Sequence, residues 1–347
     1  MDKRTKIRFI VNPISGTGDK RHIVAAATRM IPDDSFQRDV VYTSYKGHAA
    51  EIAEQSAREG WDVVVAVGGD GTVNEVARSL VHTGTALGIV PCGSGNGLAR
   101  HLSIPMNPVG ALKVLRECKV ETLDYGLINE TPFFCTCGVG FDAFVSSKFA
   151  ESGKRGLLSY LENTLKEGLL YKPETYDIEI DGEKQHYKAF LIACANASQY
   201  GNNVYIAPMA SMSDGLLDVT IMEPFTVLEA PQIAIQLFNK SITSNSRIRT
   251  FQCHSLHIHR TSPGVIHFDG EPVEEGRDLY IRLEDKAIRM VVNNETTALQ
   301  PPLLRMFSDF YSEMNGEIEN LKQGISDGSH KIKAINKELL RKLRLGR

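Results

Sequence analysis

The chain has 347 residues, a formal net charge of −3 with histidine neutral, and 42% apolar residues. That length accommodates two ordinary domains, each able to bury its own core. The slight negative charge argues against a general nucleic-acid binder, which needs a strongly basic surface. The longest apolar stretches, 63–67 and 189–197, are strand-sized, far short of the roughly 20 residues that cross a bilayer. The opening Met1-Asp-Lys-Arg-Thr-Lys6 has no apolar signal core, so a cytoplasmic chain is expected. The six cysteines form no Cys-x-x-Cys pair and read as reduced core residues.

Taken in chain order, the first third alternates short β-branched strands, at 7–11, 38–42, 62–67 and 86–90, with helical stretches such as 48–58, where Ala49, Ile52, Ala53 and Ala57 share a face. This alternation predicts a parallel α/β sheet. From about Tyr125 the pattern changes to strands separated by turns: 176–180, 187–195, 216–222, 256–259, 265–268, 279–283 and 288–292. Helical inserts are expected at 157–170 and 227–239, and a helical tail follows Asn294. The predicted architecture is α/β plus all-β: a nucleotide-type α/β domain over 1–125, an antiparallel β domain over 126–294 and a helical segment over 295–347.

Three glycine-rich segments sit just after strands, where open α/β sheets bind ligands. They are Asn12-Pro-Ile-Ser-Gly-Thr-Gly18, Gly68-Gly-Asp-Gly-Thr72 and Pro91-Cys-Gly-Ser-Gly-Asn-Gly97. Successive glycines let backbone N–H groups approach a phosphate, and a helix start adds a favourable dipole. One such loop is equally well a tight turn; three in register point to phosphate. None is a Walker A or a Gly-x-Gly-x-x-Gly fingerprint, so phosphate binding is expected without the P-loop lysine.

The ordered motifs Asn12-Pro-x-Ser-Gly, Gly68-Gly-Asp-Gly-Thr-x-Asn-Glu75, Pro91-x-Gly-Ser-Gly-Asn96, Gly138-x-Gly-Phe-Asp142, Asp214-Gly-Leu-Leu-Asp218 and Asp269-Gly-Glu271 resemble those of the diacylglycerol kinase catalytic-domain family. That family includes bacterial YegS-type lipid kinases and eukaryotic sphingosine and ceramide kinases. The resemblance spans about Lys6 to Asn293. It implies an N-terminal domain related to NAD kinases and phosphofructokinases, a C-terminal β-sandwich and an active site in the cleft between them. It further implies ATP as phosphoryl donor, Mg²⁺, and a nucleotide site formed by Asn12, Thr43, Gly68, Gly69, Asp70, Gly71, Thr72, Asn74 and Ser94. Thr43 reads equally well as the N-cap of the helix that starts near His48. The third loop departs from many bacterial members by carrying Gly97 where they have an Asp that helps organise magnesium.

Phosphoryl transfer requires charge neutralisation, in-line positioning and a base near the acceptor hydroxyl. Asp70 is placed to organise Mg²⁺, and Glu271 or Asp269 to take the hydroxyl proton. In an extended chain, carboxylates at i and i+2 project to one side, so both could face one cleft. The alternative is that Asp269-Gly270 is a hairpin turn. By the same resemblance a structural Mg²⁺ would be held by Ser211, Asp214 and the Leu216 carbonyl, although Asp214-Gly215 also reads as a turn.

The implied acceptor is an amphiphilic lipid, with 138–149 and the insert Lys154-Arg-Gly-Leu-Leu-Ser-Tyr-Leu161 as candidates for its pocket. The basic amphipathic tail, with Ile332, Ile335, Leu339 and Leu343 at helical spacing, suits peripheral contact with the inner face of a membrane or packing on a partner subunit. A homodimer through β-domain edges is compatible with the sequence. Rival readings are a kinase of a soluble acceptor such as NAD and a non-catalytic lipid- or nucleotide-binding regulator.

Overall fold

A computed structural model describes residues 4–16, 19–152, 171–180, 182–226 and 228–293. The insert helix expected at 157–170 and the tail beyond 293 lie outside these residues.

Near-continuous apolar runs make the central strands. β1 (Thr5–Val11), β3 (Val63–Gly68) and β4 (Ala86–Pro91) are rich in Val and Ile, and every residue of β3 and β4 is buried. This is the pattern of parallel strands covered on both faces. With β2 (Phe36–Tyr42) they pair in the order β2-β1-β3-β4, all parallel. Helices α1 (Arg21–Met30), α2 (His48–Arg58) and α3 (Asp70–Leu80) make the crossovers. α4 (Gly97–His101) and α5 (Pro108–Glu117) follow β4. α2 packs on α3, and α1 packs on α5. Because β1 leads outward to β2 while β3 and β4 lie on its other side, the strand order reverses between β1 and β3. That reversal opens a crevice at their carboxyl ends.

The second half forms two antiparallel layers. One consists of β8 (Glu174–Ile180), β9 (Glu183–Ala189), β13 (Ser255–Arg260) and β16 (Asp278–Val291), with β5 (Val120–Ile128) and β6 (Thr131–Phe133) pairing beside β16. The other runs β12-β11-β10-β7-β14-β15, that is Ile248–Cys253, Leu217–Met222, Leu191–Ala195, Thr136–Gly140, Gly264–Phe268 and Glu271–Glu275. Their inner faces share one core that includes Phe133, Tyr176, Val139, Ile192, Val219 and Ile266. Among the described residues, α6 (Phe141–Ser152) and α7 (Ala230–Phe238) pack on the second layer.

Two expectations are corrected here. The run 187–195 is two strands, β9 and β10, belonging to different layers; the chain changes layer at Phe190, whose N–H bonds to Met222 O at 2.7 Å. Conversely 279–283 and 288–292 are one long strand, β16, with an irregularity between Glu284 and Ile288 where Lys286 takes φ +47°. The far end of β16 pairs Met290 with Leu87 of β4, so the chain returns to the parallel sheet, and β5 runs through the 125/126 position. The described residues lie in one compact unit. Four of the six cysteines are buried in its cores. Among the described residues no helix is long and apolar enough to cross a membrane.

Candidate active site

The three glycine-rich loops converge at the β1/β3 crevice, and they fit together because they lack side chains. A Cβ at Gly93 would stand 2.7 Å from the Cα of Gly69, and one at Gly68 would stand 2.5 Å from Thr72 Cβ. At Gly16, where φ is +61°, it would collide with the Cys92 carbonyl oxygen. Asn12 ties the first loop to the second by donating from Nδ2 to Thr72 Oγ1 at 2.9 Å. Thr43 follows β2 and bonds through its N–H to Val11 O at 2.9 Å, beside Asn12. It is not the cap of α2: Gly47 is, at φ +91°, with its N–H donated to Glu75 Oε1 at 3.0 Å. Ser94 stands exposed at the tip of the third loop.

Helix α3 starts inside the second loop, with Gly69 as its N-cap and no side chain capping it. The N–H groups of its first turn and the positive end of its dipole therefore face the crevice, an arrangement that favours an anion. Asp70 does not fill that role. Its Oδ2 accepts from Asn96 N and its Oδ1 from Gly97 N, each at 2.8 Å, so its carboxylate clamps the third loop to the second. Burial raises its pKa, opposed by those backbone donors. Asn96 completes the clamp from the left-handed region (φ +50°), bonding through its side chain to both Gly93 N and Gly93 O.

The Asp269-Gly270 pair is a two-residue hairpin turn, with φ of +47° and +84°, closing β14 on β15 so that Phe268 faces Glu271. The extended-chain expectation for Asp269 and Glu271 is therefore corrected: the turn sends the two carboxylates to different partners. Asp269 accepts at Oδ2 from Asn74 Nδ2 and Phe134 N, both at 2.9 Å. At Oδ1 it accepts from Cys135 N at 2.7 Å and Thr136 N at 3.2 Å. Burial pushes its pKa up against those four donors. Glu271 instead reaches α3, with Oε1 lying 3.4 Å from the Cβ position of Gly71. Its Oε2 pairs with Lys46 Nζ at 3.1 Å, and its side chain is 42% exposed. The hairpin thus docks on the start of α3 through one saturated carboxylate, and Glu271 is the one that stays open to a reactant.

The residues expected to bind a second metal lie on one turn that closes on itself. Ser211 Oγ is 3.2 Å from Ser213 Oγ, and Asp214 Oδ1 accepts from Leu216 N at 3.2 Å. Gly215 N donates instead to buried Asp124 at 3.0 Å. The turn brings together one carboxylate, one hydroxyl and the Leu216 carbonyl, oxygen donors of the type that Mg²⁺ takes alongside waters. Among the described residues no group of three His, Cys, Asp or Glu is placed to hold a metal.

Sequence reasoning placed Asn96 and Gly97 in the third loop but missed that their backbone N–H groups bind Asp70, and it missed Lys46. The Gly at 97 is explained only in the fold: a Cβ there would stand 3.1 Å from Tyr200 O, so the missing Asp coincides with close approach of the 199–202 segment. Lys46 carried no signal, being a lone lysine in a loop.

Residues 6–128 match the diacylglycerol kinase catalytic domain and residues 135–292 the YegS C-terminal NAD kinase beta sandwich-like domain. An uncharacterized protein of Synechocystis is 30% identical over 281 residues, 76% of this chain and 65% of that protein, so the chain spans about two thirds of that relative's length. A protein of Klebsiella pneumoniae named "Probable lipid kinase YegS-like" is 29% identical over 285 residues, 80% of this chain and 93% of that one. In fold, the chain resembles a crystal structure of a diacylglycerol kinase from Bacillus anthracis with a TM-score of 0.68 at 22% identity, covering 85% of this chain and 99% of that one.

Proposed function

The chain belongs to the diacylglycerol kinase catalytic-domain family, and from that premise we propose that it transfers the γ-phosphate of ATP to a hydroxyl of a membrane lipid. The observation that carries this reading is the meeting of a backbone-built anion site with an open carboxylate, Glu271 over Gly71.

In this account the first turn of α3 and the third loop hold the phosphates, with Asn12, Thr43 and Ser94 along the rim. Glu271 takes the proton from the acceptor oxygen as it attacks, a role worth about 10²–10⁴-fold in rate. Asp269 fixes the hairpin, and Asp70 fixes the two loops against each other. Mg²⁺ suits a site of this kind, since it binds through one or two carboxylates plus substrate phosphates and keeps several waters; Asp70 is the carboxylate among the phosphate loops that would hold it, and the ion would neutralise phosphate charge. Lys46, which pairs with Glu271, adds positive charge beside the same loop.

An aromatic cluster around α6 supports an amphiphilic acceptor. Phe141 and Phe190 have ring centroids 4.5 Å apart, and Phe144, Tyr171 and Phe225 continue the aromatic cluster. These rings pack on a buried cluster that includes Phe190 and Leu191, and the half-buried Phe141, Phe144, Tyr171 and Phe225 are the apolar side chains that support an acyl or sphingoid acceptor. The test is transfer of labelled γ-phosphate from ATP and Mg²⁺ to a panel of glycerolipids and sphingoid lipids in mixed micelles, with Glu271→Ala as control. Labelled lipid formed by wild type and lost in the variant is the expected result. ATP binding without transfer to any lipid, together with transfer to a soluble acceptor such as NAD, would overturn the lipid assignment.

A further inference from the structure

The motif Gly138-x-Gly-Phe-Asp142 contributes nothing to the nucleotide loops, and its product is a buried polar network on the other side of the site. β7 ends at Gly140, φ +95°, and α6 begins at Phe141. Along β14, Ile266 enters the sandwich core, so His267 points to the opposite face, toward α6. There Asp142 Oδ2 accepts from His267 Nε2 at 3.0 Å and from Tyr200 Oη at 3.1 Å, while Oδ1 accepts from Ala143 N at 2.8 Å. A carboxylate only accepts, so Nε2 of His267 carries the proton. The Asp142 and His267 side chains are 8% and 2% exposed. Gly138 makes this possible, because a Cβ there would stand 2.5 Å from Asp142 Oδ2.

Tyr200 joins this network to the nucleotide side. Its carbonyl oxygen lies 3.1 Å from the Cβ position of Gly97, and two residues on Asn202 N donates to Gly95 O at 3.1 Å. Between them Gly201, φ +121°, presses its Cβ position to 2.9 Å from Gly95. Gly97 and Asn96 in turn donate to Asp70. One chain of contacts therefore runs from β14, which carries the Asp269-Gly-Glu271 hairpin, through Asp142 and Tyr200 to the third loop and Asp70.

We propose that Asp142, His267 and Tyr200 are positioning residues that fix the spacing between the loop holding the phosphates and the hairpin carrying Glu271. The inference rests on the kinase reading for its catalytic consequence and on geometry alone for the linkage. A network that merely filled space would be replaceable by apolar groups of similar volume at little cost, whereas this one spans the two halves of the site through hydrogen bonds to named atoms.

The experiment pairs Tyr200→Phe, which keeps the ring and removes the hydroxyl, with His267→Gln, which keeps an N–H near the ε position, and His267→Leu, which does not. Amide hydrogen exchange of Gly95, Asn96 and Gly97 is followed in the full chain, and transfer kinetics and ATP affinity are measured alongside. The expected result is exchange of those amides faster by about fivefold or more in Tyr200→Phe. kcat should fall about tenfold with ATP affinity changed less than about twofold, and His267→Gln should recover most of what His267→Leu loses. Unchanged exchange, unchanged kcat, or equal loss in the two His267 variants would overturn the proposal. Should wild type phosphorylate no acceptor, the kinase reading fails while the exchange result still decides whether the network holds the loop.

Discussion

The two sides of the site are built from different materials. The side proposed to hold the nucleotide is made of backbone: glycines at 16, 68, 69 and 93 let three loops touch, and a helix start supplies its N–H groups. The side proposed to meet the acceptor is made of side chains, Glu271 and Lys46 at the hairpin and Asp142, His267 and Tyr200 behind it. A backbone-built site tolerates no added atom, because its neighbours cannot rotate away. A side-chain site tolerates isosteric change and responds to altered chemistry. The two regions should therefore fail in different ways when altered.

The largest effect is expected at Gly93→Ala, whose Cβ would meet the Gly69 backbone at 2.7 Å. Stability should drop by about 3 kcal/mol, with nucleotide binding lost, as thermal melts with and without ATP would record. Asp269→Asn comes next. An amide cannot accept from four donors as the carboxylate does, and one buried N–H pair would be left facing another, at a cost of about 2 kcal/mol. Denaturant unfolding measures that loss, and a midpoint within error of wild type would show that the hairpin is held by other contacts.

A smaller effect is expected from acid. Burial lowers the His101 pKa to about 4, and its Nδ1 accepts from Ser198 N at 3.1 Å. The unfolded chain binds more protons than the folded one between about pH 6.5 and 4, so stability falls as pH falls through that window, by roughly 1–3 kcal/mol. Stability curves of wild type and His101→Asn, which keeps an acceptor at that position without titrating, should separate only in this range. Least should come of Lys46→Ala, since its pair with Glu271 is exposed on the lysine side. A loss under about 1 kcal/mol of stability is expected, and a larger one would place Lys46 among the structural residues.

Much of the nucleotide side could be read in the sequence, because glycines after apolar strands report a backbone requirement directly. Strands β3 and β4 and the glycine-rich loops after strands followed from local pattern, and the grouping of Asn12, Asp70 and the third loop from the family resemblance. The acceptor side was largely hidden. Asp142 and His267 are 125 residues apart in sequence and meet only through the pairing of β7 with β14. The local signs were the motif Gly138-x-Gly-Phe-Asp142 and a histidine on the otherwise apolar strand 265–268, and neither names its partner. The functions of Asp269 and Glu271 were likewise inseparable in sequence, since the left-handed φ of Asp269 is what separates a pair of carboxylates that an extended chain would align.

The measurement that tests the account most directly is lipid phosphorylation by Glu271→Gln beside its thermal stability. The account predicts a fold as stable as wild type within about 0.5 kcal/mol and transfer reduced by about 10²-fold or more. Full transfer by that variant would contradict the assignment of Glu271 as the base and return the role to Asp269 or Asp70.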